Sequence, residues 1–247
     1  MKIGVSTYSL SRAIIANELT LLEAMSYIAG VGGQHVEIVP IGFSLTENPE
    51  LIEEIHHKAS ELTIEISGYC VGANFITGDK QSYEDEIQRV MREVDIANRL
   101  GVKLMRHDAG FSKDLSMRNF LAELPRLVEA CQRIADYAAQ YGITTSIENH
   151  GYFIQSSDRV QTLLSEVNRS NCKTTMDVGN FMCVDEDSVA AVKKNVANAS
   201  MIHLKDFYLR PSYRNPGEGW FKTESGNYLR GAIVGQGDID MPEVLRV

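Results

Sequence analysis

Cysteine is sparse in this 247-residue sequence, with four residues, Cys70, Cys131, Cys172 and Cys183, scattered and without a Cys-x-x-Cys spacing. Such usage excludes a dense disulfide framework and a structural zinc knuckle, and points to a reducing compartment. Basic residues are short as well, 24 Lys and Arg against 33 Asp and Glu, for a formal charge of −9. Binding to a phosphate backbone draws mainly on counterion release by clustered Lys and Arg, so no nucleic-acid partner is expected and a small molecule is. No run approaches the roughly 18 apolar residues of a membrane span. The first ten residues place Lys2, Ser6, Thr7 and Tyr8 within their apolar run, too polar for a signal peptide. No membrane partner and a cytoplasmic location are therefore expected. Pro/Ser-rich linkers, low-complexity tracts and charge blocks are all missing, so residues 1–247 read as a single domain.

What the chain does have is 44% hydrophobic residues, sufficient for one large core, in segments that alternate between strand-like and helix-like patterns. Strands are expected at residues 2–10, 34–39, 64–71, 102–108, 144–150, 173–178 and 201–206. Most are apolar on both faces, as covered parallel strands are. Between them, Thr20-Leu-Leu-Glu23 reads as a capping box opening a helix with Leu21, Ala24, Met25 and Ile28 on one face. Asn48-Pro49 reads as a cap and first turn. Further helices are expected at 82–100, 116–140, 157–167 and 187–199, and Asp240-Met-Pro-Glu243 opens another.

Seven strands in this order fit an open doubly wound sheet or a (β/α)8 barrel. An open sheet gathers ligand groups at one switch point, often beside a Gly-rich loop after the first strand. Here Ser9-Leu-Ser11 follows the first strand, and polar residues end strands two through seven, which is the barrel pattern. The expected fold is α/β, a (β/α)8 TIM barrel without its last strand and helix in this stretch of sequence.

Three strand-end residues carry the chemistry: Glu148, Asp177 and His203. Two hard oxygen donors and one imidazole suit Mn²⁺, the first choice, with Mg²⁺, Co²⁺ or Zn²⁺ also accommodated. Asn149, His150 and Asn180 are polar neighbours able to orient ligands or bind substrate hydroxyls, or to cap loops. Glu37 reads as a buried partner of a neighbouring base. His107, and Asp108 beside it, read as substrate contacts or as rim groups satisfied internally. Lys205 could neutralise a developing anion or pair with Asp206, and Tyr8 could line the pocket or simply pack. The long segment 208–235, with Arg210, Tyr213, Arg214, Trp220, Lys222 and Arg230, reads as a lid whose Arg210 reaches an anionic substrate group, or as a contact in a homo-oligomer.

The strings Ser146-Ile-Glu-Asn-His150, Met176-Asp-Val-Gly-Asn180, His203-Leu-Lys-Asp206 and Gly235-Gln-Gly-Asp-Ile-Asp240 resemble the sugar phosphate isomerase/epimerase family of xylose isomerase-like TIM barrels. The resemblance implies that Glu148, Asp177 and His203 are three of four ligands of one divalent cation. It also implies that Glu148 moves a proton next to a sugar carbonyl while the metal stabilises the enediolate. By the same resemblance, Glu37 is equally a substrate contact near the mouth. An isomerase or epimerase of a small ketose or its derivative is the leading expectation, with an inosose dehydratase-like lyase or a non-catalytic sugar-binding barrel as alternatives. The apurinic-site endonuclease branch of the same barrel fits poorly, because Asn180 stands where its Asp-x-x-His pattern needs a ligand and the chain has six histidines in all. The family's fourth ligand, a Glu ending an eighth strand that also serves as the second acid/base, has no counterpart here. Glu243 lies on the final helix and does not replace it. The natural chain is thus expected to run about 30 residues further, one βα unit, or to have its two sheet edges covered in an oligomer.

Overall fold

A computed structural model describes residues 2–247. Its main sheet is parallel and strictly sequential: β1 (Gly4–Ser6), β2 (His35–Ile38), β3 (Glu65–Val71), β4 (Leu104–His107), β5 (Thr144–Glu148), β6 (Cys172–Asp177) and β7 (Ala199–His203). β1 and β7 each pair with one neighbour in this sheet, β2 and β6 respectively. A flat sheet would separate β2 from β7 by five steps of about 4.8 Å, roughly 24 Å. Instead Glu37 on β2 and His203 on β7 are hydrogen-bonded at 3.0 Å. The sheet is therefore curled into a barrel arc, and that contact closes its mouth.

Helices cover the outside: α2 (Leu21–Gly30), α3 (Leu51–Leu62), α4 (Lys80–Arg99), α5 (Met117–Ala139), α6 (Ser157–Val167) and α8 (Ser188–Asn195), with short α1 (Ser11–Ile15), α7 (Asn180–Cys183) and α9 (Met241–Val244). Each buries one stripe, such as Ile87, Val90 and Val94 on α4 and Leu127, Cys131, Ile134 and Ala138 on α5. None is long and apolar enough to cross a membrane. Thr20 and Glu23 do form the capping box, whereas Asp240 accepts from Glu243 N–H while the Glu243 carboxylate turns to Lys193. Asn48 does not cap α3. The helix starts at Leu51 behind Glu50, and Asn48 offers its carbonyl to Leu51 N–H at 3.2 Å.

Three segments depart from the sequence expectation. The first strand stops at Ser6, because Thr7 turns inward, exchanging hydrogen bonds with the backbone of Val39, and a 3₁₀ turn carries Thr7–Leu10. The seventh strand ends at His203 instead of residue 206, and Asp206 begins a separate sheet. Segment 208–235 is not one continuous loop. β8 (Asp206–Arg210), β9 (Phe221–Lys222) and β10 (Tyr228–Ala232) form an antiparallel sheet in the order β8-β10-β9. Its Phe207 and Leu229 are buried with Met176, Val178 and Phe181 in a cluster beside the C-terminal end of β6.

Candidate active site at the barrel mouth

Parallel register gathers the three strand-end residues. Asp177 pairs in register with His203, so the two side chains share a face, and Glu148 stands opposite Thr175, two residues earlier on β6. One ligand atom from each of Glu148, Asp177 and His203 lies within 4.8 Å of the others. The carboxylates are buried, 6% and 1% exposed. The turn after β6 is built around Asp177, whose Oδ1 accepts from the N–H groups of Gly179 and Asn180 at 2.9 and 3.1 Å. Gly179 is required there, since a Cβ would sit 2.9 Å from the Lys205 carbonyl.

Around the triad every acidic group has a basic partner. Arg106, inside the mouth on β4, donates from Nε and Nη2 to Glu148 Oε2 and reaches Asp108 Oδ1 at 3.1 Å. Asp108 Oδ1 also meets Nδ1 of the exposed His150 at 3.1 Å. On the other side, Asn180 donates to Glu148 Oε1 at 3.1 Å and accepts from Lys205 Nζ at 3.0 Å, and Lys205 pairs with Asp177 Oδ2 at 2.7 Å. A continuous relay thus runs from His150 through Asp108, Arg106, Glu148, Asn180 and Lys205 to Asp177. Glu37 and His203 form the remaining pair.

These pairings set the protonation states. Burial pushes the Glu37 carboxyl up, but the His203 hydrogen bond and charge outweigh it and hold the group at about 2. Burial likewise lowers His203 and Lys205, and is overcome by Glu37 for the first and Asp177 for the second, so both bases are shifted upward. For Arg106, burial opposes the charged form, while Glu148 and Asp108 together secure it. Cys70, fully buried, is pushed well up by burial and offers no thiolate to the mouth.

Residues 25–247 match the family model described as the xylose isomerase-like TIM barrel. The chain belongs to that family. Among solved structures, this xylose isomerase-like barrel is similar to the probable 3-DHS dehydratase AsbF involved in petrobactin synthesis from Bacillus anthracis, at 17% identity and TM-score 0.76, covering 100% of this chain and 88% of that one. It is similar also to 3-keto-D-glucoside 4-epimerase YcjR from E. coli, at 17% identity and TM-score 0.71, covering 100% and 86%. A third is the IOLI protein with a bound zinc atom, at 16% identity and TM-score 0.74, covering 100% and 84%. No curated protein matches in sequence.

Within this xylose isomerase-like barrel the other expected site residues divide. Glu37, His150, Asn180 and Lys205 join the network just described, with Lys205 on Asp177 and not on its neighbour Asp206. Asn149 is taken up structurally: its amide donates to the Asp177 carbonyl at 2.9 Å and accepts from Asp177 N–H at 2.8 Å, extending the strand ladder and seating Asp177. His107 does not reach the mouth. It is 0% exposed, pairs in register with core residue Ile147, stacks edge-on to Phe75 and hydrogen-bonds the Asp108 carbonyl. Arg210 lies in the second sheet against Asp238 and over the Trp220 ring, and touches none of the triad. Tyr8 is 60% exposed in the 3₁₀ turn after β1, and its hydroxyl has no hydrogen-bonded partner among the described residues.

Sequence reasoning missed Arg106. Its signal was the period of two in a strand: if His107 faces the helices, Arg106 and Asp108 face the barrel. A charged residue inside an otherwise apolar strand is itself a cue, since Arg is seldom buried unpaired. The glycine motif also has a structural reason. Asp206 is 1% exposed and accepts from the N–H groups of Phe207, Gly235, Gly237 and Ile239, so residues 235–239 wrap its carboxylate.

Proposed function

We propose that this barrel is a divalent-metal-dependent isomerase or epimerase of a small ketose sugar or sugar derivative. The observation that carries this reading is the cluster of Glu148, Asp177 and His203 ligand atoms within 4.8 Å at the C-terminal mouth. The donor set fits the group: two carboxylates and an imidazole with no thiolate favour a hard or borderline divalent cation. Mn²⁺ is the first candidate, with Mg²⁺, Co²⁺ and Zn²⁺ behind it. When bound, such an ion supplies Lewis-acid polarisation of a sugar's carbonyl and adjacent hydroxyl oxygens.

The chain's own residues supply the rest. Glu148 removes the proton from the carbon next to the carbonyl, its carboxylate aimed by Arg106 on Oε2 and Asn180 on Oε1. Arg106 and Lys205 provide fixed positive charge against the enediolate that forms. In this reading His150, exposed and tethered through Nδ1 to Asp108, returns a proton from its other ring nitrogen, and exchange with solvent resets Glu148 and His150. The second sheet packs beside the C-terminal end of β6. Asn180 at the third position after Asp177 is a hydrogen-bonding residue here, which argues against a multi-metal nuclease cluster.

The test is solvent-proton exchange. Purified protein with Mn²⁺ in D₂O, given a panel of ketoses, inososes and hydroxypyruvate, is expected to exchange the hydrogen next to the carbonyl of at least one compound and form its isomer. Glu148→Gln is expected to lower that rate by about 10²–10⁴-fold while the protein stays folded, and His203→Ala to lose bound metal on elemental analysis. Loss of water in place of isomer formation would make it a lyase using the same abstraction. Metal-free wild-type protein after dialysis against Mn²⁺ and Zn²⁺ would remove the basis of the proposal.

A further inference from the structure

Glu37 crosses the mouth from β2 to meet His203 Nε2 at 3.0 Å, a contact between residues 166 positions apart in sequence. Its side chain is buried, Oε2 engages Nε2 of His203, and Oε1 has no hydrogen-bond partner among the described residues. A carboxylate accepts hydrogen bonds and does not donate them. The proton in this bond therefore belongs to Nε2, which in the neutral ring leaves Nδ1 as the nitrogen with a lone pair to offer. Glu37 itself stands outside the set of ligand atoms gathered within 4.8 Å.

We propose that Glu37 is a positioning residue that fixes the Nε2–H tautomer and ring orientation of His203, so that Nδ1 is the atom that binds the cation with Glu148 and Asp177. The proposal rests on the divalent-cation site put forward above. An imidazole ligates through one unprotonated nitrogen, and a partner on the opposite nitrogen decides which one and makes it more basic. Without Glu37, His203 could turn about its side-chain torsions and share its proton between both nitrogens. Only part of that population would meet a cation correctly. The sequence spacing conceals this link, because the two residues are brought together by the curl of the sheet.

Zn²⁺ is a suitable probe because it is diamagnetic. Long-range proton–nitrogen NMR of ¹⁵N-histidine-labelled full chain reports the tautomer of His203 directly, with the His203→Ala spectrum assigning the signals. Without zinc, at a pH high enough for the ring to be neutral, His203 is expected in the Nε2–H form, and as a mixture in Glu37→Ala. With zinc, the metal-bound resonance is expected at Nδ1 with Nε2 still protonated. Competition with a chromophoric chelator is expected to show Zn²⁺ binding about 10–100-fold weaker in Glu37→Ala, partly recovered in Glu37→Asp, and weaker still in His203→Ala. Zinc on Nε2, an Nδ1–H tautomer in zinc-free wild type, or unchanged affinity in Glu37→Ala would each overturn the proposal. A loss in Glu37→Ala as large as in His203→Ala would also overturn it, by making Glu37 a ligand. If Glu37→Ala does not fold, the wild-type spectra decide alone. If wild type binds no zinc, the cation site fails, and the zinc-free tautomer still tests the role of Glu37 separately.

Discussion

Replacing Arg106 with Met should be among the most costly single changes in the mouth. The side chain is 12% exposed, and its guanidinium serves Glu148, Asp108 and the Val71 carbonyl, the last at 3.2 Å. Met keeps most of the stem's volume and removes the charge, leaving two buried carboxylates without their shared cation. Each retains one hydrogen-bond donor, Asn180 for Glu148 and His150 for Asp108. Breaking a buried pair from one side costs about 3–5 kcal/mol. In a domain of this size 1 kcal/mol moves Tm by about 2–4 °C, so the drop should be about 6–20 °C. The control is Arg133→Met, which breaks a half-exposed pair with Glu84 at 2.7 Å. Pairs of that kind contribute about 0–1 kcal/mol, hence a shift of at most about 4 °C. Scanning calorimetry of both variants at pH 7 makes the comparison. Equal shifts would refute the claim that buried pairing holds the mouth in shape.

Two further perturbations test the architecture. Glu37 has its folded pKa depressed to about 2 from 4.5, so its contribution is present above pH 4.5 and lost as pH falls towards 2. His203, raised from 6.5, contributes below that value and loses its contribution as pH climbs through the folded one. The stability gap between wild type and Glu37→Gln in urea titrations should thus be widest near pH 5–6, about 3 kcal/mol from the carboxyl shift, and narrow on either side. A gap independent of pH would contradict the pairing. Gly237→Ala places a Cβ 2.1 Å from Asp206 Oδ1 and 2.7 Å from the Phe207 carbonyl. It should cost about 2–5 kcal/mol by overpacking and by breaking bonds to a buried carboxylate, and render residues 233–240 sensitive to limited proteolysis. An unchanged cleavage pattern would show that Asp206 does not organise that loop.

The barrel order of β1 to β7, the helix Ser157–Val167 to the residue, and the triad were legible from hydrophobic runs ending in ligand types. These are features in which one short stretch of chain carries its own signal. Arg106 and the role of His107 were not, because both depend on the phase of a four-residue strand, and a one-residue slip exchanges the faces. The pairing of Glu37 with His203 needed the curvature of the whole sheet. The second sheet escaped notice because β9 is two residues long and β8 is followed by a glycine-rich stretch containing Gly217 and Gly219. Its stability comes from burying Phe207 and Leu229 against Met176 and Val178, a contact between distant segments that no local pattern announces.

The one-for-one matching of acids and bases around the triad makes the mouth behave as an ion exchanger. Its ammonium and guanidinium are tethered counter-ions, already seated on Asp177 and Glu148. A divalent cation entering among these carboxylates, as proposed above, would do so in competition with Lys205 and Arg106. Its affinity would then be a difference between two sets of contacts. Selectivity among metals would follow from how well each ion outcompetes an attached amine, and a substrate that draws Lys205 or Arg106 onto its own oxygens would tighten the hold on the metal by removing the competitor.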